Sequence, residues 1–285
     1  MAFATGKLSA NNVIDSNTDD TSAYIMSTHA ILGANGGTGS AILRYLLSSQ
    51  IPDLHINILV RSKAKLLEAF PRLESTSSAT ITIFHAPIPD ESALQACLKG
   101  ASTIDACVAT NHASRKVDIP FTTAARVTAA LGQLRRDEGS EYKTPTVVLI
   151  RSLSLNSDVK ISVPGFMKSF FIWAIWFVYE DLIKACGLYA GAEKDGLLTP
   201  ITADPPMLMD PEGTKATGYE IMLSGKASST LSYADFGVAM VELGQRREEF
   251  GGKIVGISAT GPVRITVWPS LVTVFMGLKI RLFPF

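Results

Sequence analysis

HAILGANGGTG, residues 29–39, is the stretch on which the fold turns. A short apolar run, His29 to Leu32, leads into glycines at 33, 36, 37 and 39. Behind them Ile42, Leu43, Leu46 and Leu47 recur at the period of a buried helical stripe, so a helix is expected to start near Gly37. Strand, glycine turn and helix in this order form the head of a βαβ unit. Its first turn can cradle a pyrophosphate on the N–H groups and positive dipole end of the helix. Gly33 then makes the tight turn, Gly36 lets backbone approach the phosphates, Gly39 lets the helix pack closely, and Asn35, Gly37 and Thr38 complete the cradle. The spacing is G-x-x-G-x-x-G and not the commoner G-x-G-x-x-G, and an ordinary turn in an α/β protein is the competing reading. The strand before it and the amphipathic helix after it favour a dinucleotide.

Outward from this loop, apolar runs at 55–60, 80–84, 103–109 and 146–150 alternate with helical segments, the pattern of a parallel sheet covered on both faces. Asp90 is a good N-cap and Gly100 a good helix stop, and a longer helix follows Pro120. Later come a long helix over Phe166 to Cys186, whose first part to Val178 is apolar on every side and so ordinarily core, and a strand over 198–203 ended by Pro205 and Pro206. The spacing Ser232-x-x-Asp235 caps a helix running to about Gln245, and a last short strand covers 253–257. The expected fold is a Rossmann-type, doubly wound α/β sheet. Residues 1–27 read as a loose leader, 28–157 as the nucleotide-binding core, and 158–285 as a substrate lobe with a C-terminal helix, integral to the same domain.

The second strand ends at Arg61-Ser62-Lys63, where an NAD site carries an acid for the ribose hydroxyls. Arg61 instead suits a 2′-phosphate, so the expected cofactor is NADP(H), with Ser62 beside it and Lys63 or Lys65 in support. A solvated basic turn is the alternative. The strand-three exit, His85-Ala-Pro87, offers no acid, so an apolar or backbone-only adenine contact is expected.

Balanced charge, 26 basic against 26 acidic residues, supplies no field for nucleic acid. Three cysteines far apart, Cys97, Cys107 and Cys186, suit neither a disulfide framework nor a metal knuckle, and His29, His55 and His85 share no ligand spacing. A reducing, cytoplasmic setting and no metal are expected. The longest apolar run, Phe170 to Val178, is nine residues, about half the ~20 needed to span a bilayer. The apolar tail, Trp268 to Phe285, is expected to pack on the body, with a homodimer contact or a peripheral membrane contact as the alternatives.

The pieces GANGGTG, ILVRS, PDESALQACLKGASTIDACVAT, TVVLIRSLSLN, ITADPPMLMD and SYADFGVAMVEL resemble the atypical short-chain dehydrogenases/reductases of the NmrA-like branch. The helix ending WFVYEDLIKACG together with DPPMLMD looks most like the fungal averufin-oxidase-like proteins of specialised metabolism. That resemblance implies an NADP(H)-binding Rossmann fold with a small C-terminal substrate lobe. It also places Ser152 at the family's strand-five serine. The family's Tyr-x-x-x-Lys pair is missing: Tyr179 and Lys184 stand five apart, about 140° around a helix from each other.

Catalytic candidates stand at the carboxyl ends of the strands. Thr110, Asn111 and His112 follow strand four, with the first two beside the cofactor; Ser152, Ser154 and Asn156 follow strand five. Ser152 can orient a carbonyl and also touch the cofactor, while Tyr179 or His112 can move a proton. Ser154, Trp173, Trp176, Tyr179 and Pro206 are the candidate substrate contacts, with the aromatic helix as a wall for a flat, greasy substrate and Asp204-Pro-Pro206 as its floor. The leading reading is an NADPH-dependent reductase of a hydrophobic carbonyl or enone. A redox-neutral isomerase, cyclase or dehydratase on the same fold is the second, and a non-enzymatic NADP(H)-binding regulator the third.

Overall fold

A computed structural model describes residues 27–109 and 118–265, together with 275, 277–279 and 282 of the C-terminal segment. The leader and Thr110, Asn111 and His112 therefore lie outside the described residues.

The chain builds β1 (Thr28–Leu32), α1 (Gly37–Ser48), β2 (His55–Val60), α2 (Lys63–Ala69), β3 (Thr80–His85), α3 (Glu91–Leu98), β4 (Thr103–Ala106), α4 (Ile119–Glu138) and β5 (Thr146–Ile150). There follow β6 (Val159–Ile161), α5 (Gly165–Ala174), α6 (Trp176–Lys194), β7 (Thr199–Asp204) and β8 (Met207–Met209). The last elements are β9 (Tyr219–Met222), β10 (Gly225–Ala227), β11 (Thr230–Ser232), α7 (Tyr233–Gln245), α8 (Arg247–Phe250) and β12 (Ile254–Ala259). One eight-stranded sheet has the order β3-β2-β1-β4-β5-β7-β12-β9, parallel throughout except for β9, which runs antiparallel to β12. Two strand pairs, β6 with β10 and β8 with β11, stand apart from it. Strand order reverses between β1 and β4, which opens a crevice at their carboxyl ends.

Helices α1 and α7 cover one face: Ile42, Leu43 and Leu46 pack with Phe236 and Met240 over Ile31, Ile58 and Val148. Helices α3, α4 and α6 cover the other, where Leu94, Val127 and Tyr189 meet Ala30, Leu32 and Val147. Every residue of β1 is buried, as two-sided coverage demands, and His29 survives there by pairing through Nδ1 with Asp105 Oδ2 at 2.9 Å. All three cysteines are free thiols.

The caps read from sequence form. Asp90 accepts from Ala93 N–H, and Ser232 accepts from Asp235 N–H at 2.9 Å. Three expectations change. The fourth strand ends at Ala106 and not at 109, where its pairing with β1 and β5 stops. The long helix over 166–186 is two helices broken at Ile175, which leaves the helical region at φ −114°, ψ 23°. And α5 is no core helix: among its ten residues only Ala174 is buried. The short strands β6 and β8–β11 carried no sequence signal, because three or four residues show no periodicity, and the seven residues of α2 make barely two turns.

Asp235 holds the end of the fold together. Its carboxylate is fully buried, accepts from Thr217 N–H at 2.7 Å, Gly218 N–H at 2.8 Å and the hydroxyls of Thr217 and Ser232, and so ties the approach to β9 to the start of α7. Asp235→Ala leaves the part-buried Thr217 and Gly218 amides without their charged acceptor and should cost about 2 kcal/mol of unfolding free energy. Urea titration reads this as a lower midpoint at unchanged slope; a loss under about 0.5 kcal/mol would mean that the carboxylate is not the clamp.

Candidate active site

The glycine loop meets the demands of a phosphate cradle. Gly33 sits at φ +96°, a conformation open chiefly to glycine, and its carbonyl accepts from Gly36 N–H at 2.9 Å to close the turn. A Cβ on Gly39 would strike the Gly33 carbonyl and lie 2.8 Å from Ala34 Cα, so α1 can begin against the loop only with glycine there. Gly36 differs. Its backbone is extended, and the nearest atom to a Cβ would be the Gly33 carbonyl oxygen at 3.3 Å, so a side chain would stand in the open cradle. Thr38 is buried in the first turn of α1, and the ring of Tyr233 packs on Gly37, a contact the motif alone does not reveal. The residues present fit a dinucleotide pyrophosphate.

Asn35 donates from Nδ2 to Ser62 O at 3.0 Å and so locks the loop to the exit of β2. Ser62 spends its hydroxyl capping α2, accepting from Lys65 N–H at 3.2 Å. Arg61 beside it is exposed and, among the described residues, its guanidinium has no hydrogen bond or ion pair; His85 Nε2 lies 3.1 Å from its carbonyl oxygen. Lys63, expected with Lys65 to support Arg61, is paired at the surface with Glu74 at 2.6 Å.

Across the crevice, the structure brings Ser152 and Tyr179 together from 27 residues apart: Ser152 Oγ donates to the Tyr179 hydroxyl at 3.4 Å. Ser152 also accepts from Ser154 N–H at 3.3 Å as it starts a 3₁₀ turn over Leu153–Leu155. Tyr179 is buried on α6, whereas Lys184 turns outward and pairs with Glu180 at 2.8 Å. The five-residue spacing thus separates tyrosine and lysine as the helical geometry requires.

The substrate-wall expectations fare differently. Trp173 is 44% and Trp176 38% exposed, and Pro206 is buried. Asp204 does not line a pocket floor: it is fully buried and receives Arg151 in a two-pronged pair, Nε at 2.8 Å and Nη2 at 2.5 Å, plus Asn156 Nδ2 at 2.9 Å and the Ser152 N–H. Burial pushes the Asp204 carboxyl up, against these donors. Asn156 turns its own carbonyl to the N–H groups of Asp158 and Val159. Sequence reading missed this network, although an arginine directly after TVVLI and an aspartate closing ITAD on the neighbouring strand were its signal. Burial also pushes the nearby Cys186 thiol up to about 11, with Arg151 pulling the other way. On α6, Asp181 accepts from Phe121 N–H at 3.3 Å and caps α4, a role for which Asp118 makes no side-chain bond. An open groove of about 830 Å³ against β9, α7 and α8 holds neither Ser152 nor Tyr179. Among the described residues no cluster of His, Cys, Asp or Glu could hold a metal.

This is a Rossmann-type α/β architecture. A short-chain dehydrogenase/reductase from Veillonella parvula, solved in complex with NADP, superposes with a TM-score of 0.59 at 15% identity, covering 84% of this chain and 97% of that one. An anaerobilin reductase from Escherichia coli superposes at 0.56 and 15% identity, over 84% of this chain and 100% of that one. No protein-family model matches the chain. An averufin oxidase from Aspergillus flavus is 41% identical over 239 residues, 84% of this chain and 85% of that one. One from Dothistroma septosporum is 42% identical over 246 residues, 85% and 87% of the two chains. The chain belongs to the averufin oxidase family of fungal oxidoreductases.

Gly36→Val separates cradle from fold. Valine tolerates the extended backbone at this position, so the melting temperature should hold while dinucleotide binding, read by fluorescence titration, weakens more than about tenfold. Unchanged binding would place the phosphates elsewhere.

Proposed function

We propose that the protein is an NADPH-dependent reductase of a hydrophobic carbonyl or enone in fungal specialised metabolism. The observation that carries this reading is the Ser152–Tyr179 hydrogen bond. The Ser154 N–H donates to Ser152, Ser152 donates to Tyr179, and the phenol is left with its own proton to donate outward. Such a relay suits delivery of a proton to a substrate oxygen more than its removal, because Lys184 is held away on Glu180. NADPH bound on the glycine loop would supply the hydride for the substrate carbon. Tyr179 would then protonate the oxygen, giving an alcohol or a saturated ketone, with Ser152 orienting the carbonyl.

Cofactor choice rests on Arg61: an exposed guanidinium at the end of β2, where an acid would be needed for NAD, matches a 2′-phosphate. Thr110 and Asn111 remain candidate nicotinamide-side contacts, His112 an auxiliary proton carrier, and Ser154, Trp173, Trp176 and Pro206 candidate substrate contacts. We assign residues 28–157 to the cofactor and the pieces of 158–285 around β6, α5 and α6 to the substrate. The missing lysine favours one other reading, a redox-neutral isomerase or cyclase that retains the nucleotide as a structural element.

Two measurements test this. Arg61→Ala should weaken NADPH by about 1.5–3 kcal/mol and barely affect NADH, while equal losses would reject the 2′-phosphate assignment. With a panel of flat aromatic ketones and enones that includes averufin, the compound in the relatives' names, Tyr179→Phe should cut turnover by about 10²–10⁴ at unchanged NADPH affinity. The nicotinamide absorbance is followed alongside product: product formed without NADPH consumption would reject the reductase and favour the redox-neutral enzyme.

A further inference from the structure

Helix α5 and the C-terminal helical segment leave an unusual surface on the body of the enzyme. Phe166 is 77%, Met167 37%, Phe170 45% and Trp173 44% exposed. Positions 166, 170 and 173 fall within about 60° of one another around a helix, so they form one stripe. Trp176, 38% exposed, continues it past the break at Ile175. The C-terminal segment comes to the same place. Gly277 is buried with its Cα against the Ala174 carbonyl and Ile175, and on the same segment Phe275 is 69% and Leu282 63% exposed.

Charge on these segments has one sign. Within α5 the only charged residue is Lys168, and residues 265–285 hold Lys279 and Arg281 and no acid; Glu180, one turn past Trp176 on α6, is paired with Lys184.

We propose that this face docks on an anionic lipid surface, lying in the interface with Phe166, Phe170, Trp173 and Trp176 among the acyl chains and Lys168 and Lys279 at the headgroups. Aromatic side chains with basic flanks and no acids are the make-up of an interfacial helix. The surface lies on the bilayer and does not cross it. Ten residues of α5 reach about 15 Å against the ~30 Å of hydrocarbon, and among the described residues no helix is long and apolar enough to span. Lipid is favoured over a second copy of the chain because a two-fold contact would set Lys168 and Lys279 against their own copies, while Glu180, beside Trp176, is already taken by Lys184. Docking here would hold the crevice next to the phase in which a hydrophobic substrate concentrates.

The test is flotation of the full chain with phosphatidylcholine vesicles, with and without phosphatidylserine. Brominated phosphatidylcholine serves as quencher, with the exposed Trp173 and Trp176 in the proposed contact as reporters. The wild type should float with the phosphatidylserine vesicles, lose binding as salt rises, and show quenched tryptophan. Phe166→Ser with Phe170→Ser should lower partitioning about tenfold or more at unchanged circular dichroism, because both rings are already exposed. Lys168→Glu with Lys279→Glu should abolish the preference for phosphatidylserine. A wild type that floats with neither vesicle, or serine variants that bind as well as wild type, would overturn the proposal. So would light scattering showing a dimer that the serine variants dissolve, which would make the face a contact between copies.

Discussion

A carboxylate sealed from water at the end of the central sheet sets the geometry of everything near it. Asp204 closes β7 with no exposed surface, and a charge in that position is tolerable only if it is neutralised and its lone pairs are filled. Arg151, the residue after β5, supplies the charge, and Asn156 and the Ser152 N–H supply the remaining donors. Removing one member of such a pair typically costs about 3–5 kcal/mol, so the two strand ends are held as a unit. Backbone bonds carry the pairing further, from Arg151 N–H to Ala203 O and from Leu153 N–H to Pro205 O, both at 2.9 Å. The chain therefore leaves β5 in one direction only, turning through 3₁₀ geometry at Leu153–Leu155 and presenting Ser152 to α6.

Across the crevice the constraint is steric. The glycine loop works because Gly33 can take positive φ and Gly39 carries no side chain, and Asn35 fixes its position relative to Ser62 and Arg61. The two halves of the site are thus built on different physics, close backbone packing for the nucleotide and a buried ion pair for the hydroxyl couple. Both stand at the carboxyl edge of a parallel sheet, where the reversal in strand order between β1 and β4 leaves room for a ligand.

Much of this was legible from residues alone, for stated reasons. Strands β1, β2 and β5 are two-sided apolar runs, the caps at Asp90 and Ser232 are local hydrogen-bond patterns, and the glycine loop is a local steric device. Ser152 and Tyr179 were each recognisable by position, but their contact was not, since it depends on how α6 lies across β5. The Arg151–Asp204 pair was hidden for the same reason: two parallel strands place their ends side by side only once the order β5-β7 is known. Composition misled at α5. A helix this apolar, with Lys168 its one charge, reads as core, whereas here the stripe is left outside because only Ala174 turns inward.

The most direct measurement of the central claim is a crystal structure of the protein with NADP⁺ bound. The expected result has the pyrophosphate on the Gly33–Gly39 loop, the 2′-phosphate at Arg61, and the nicotinamide C4 facing a space bordered by the hydroxyls of Ser152 and Tyr179, which remain in hydrogen-bond contact. A nicotinamide turned away from that pair, or a Ser152 and Tyr179 separated by protein once the cofactor is in place, would contradict the account.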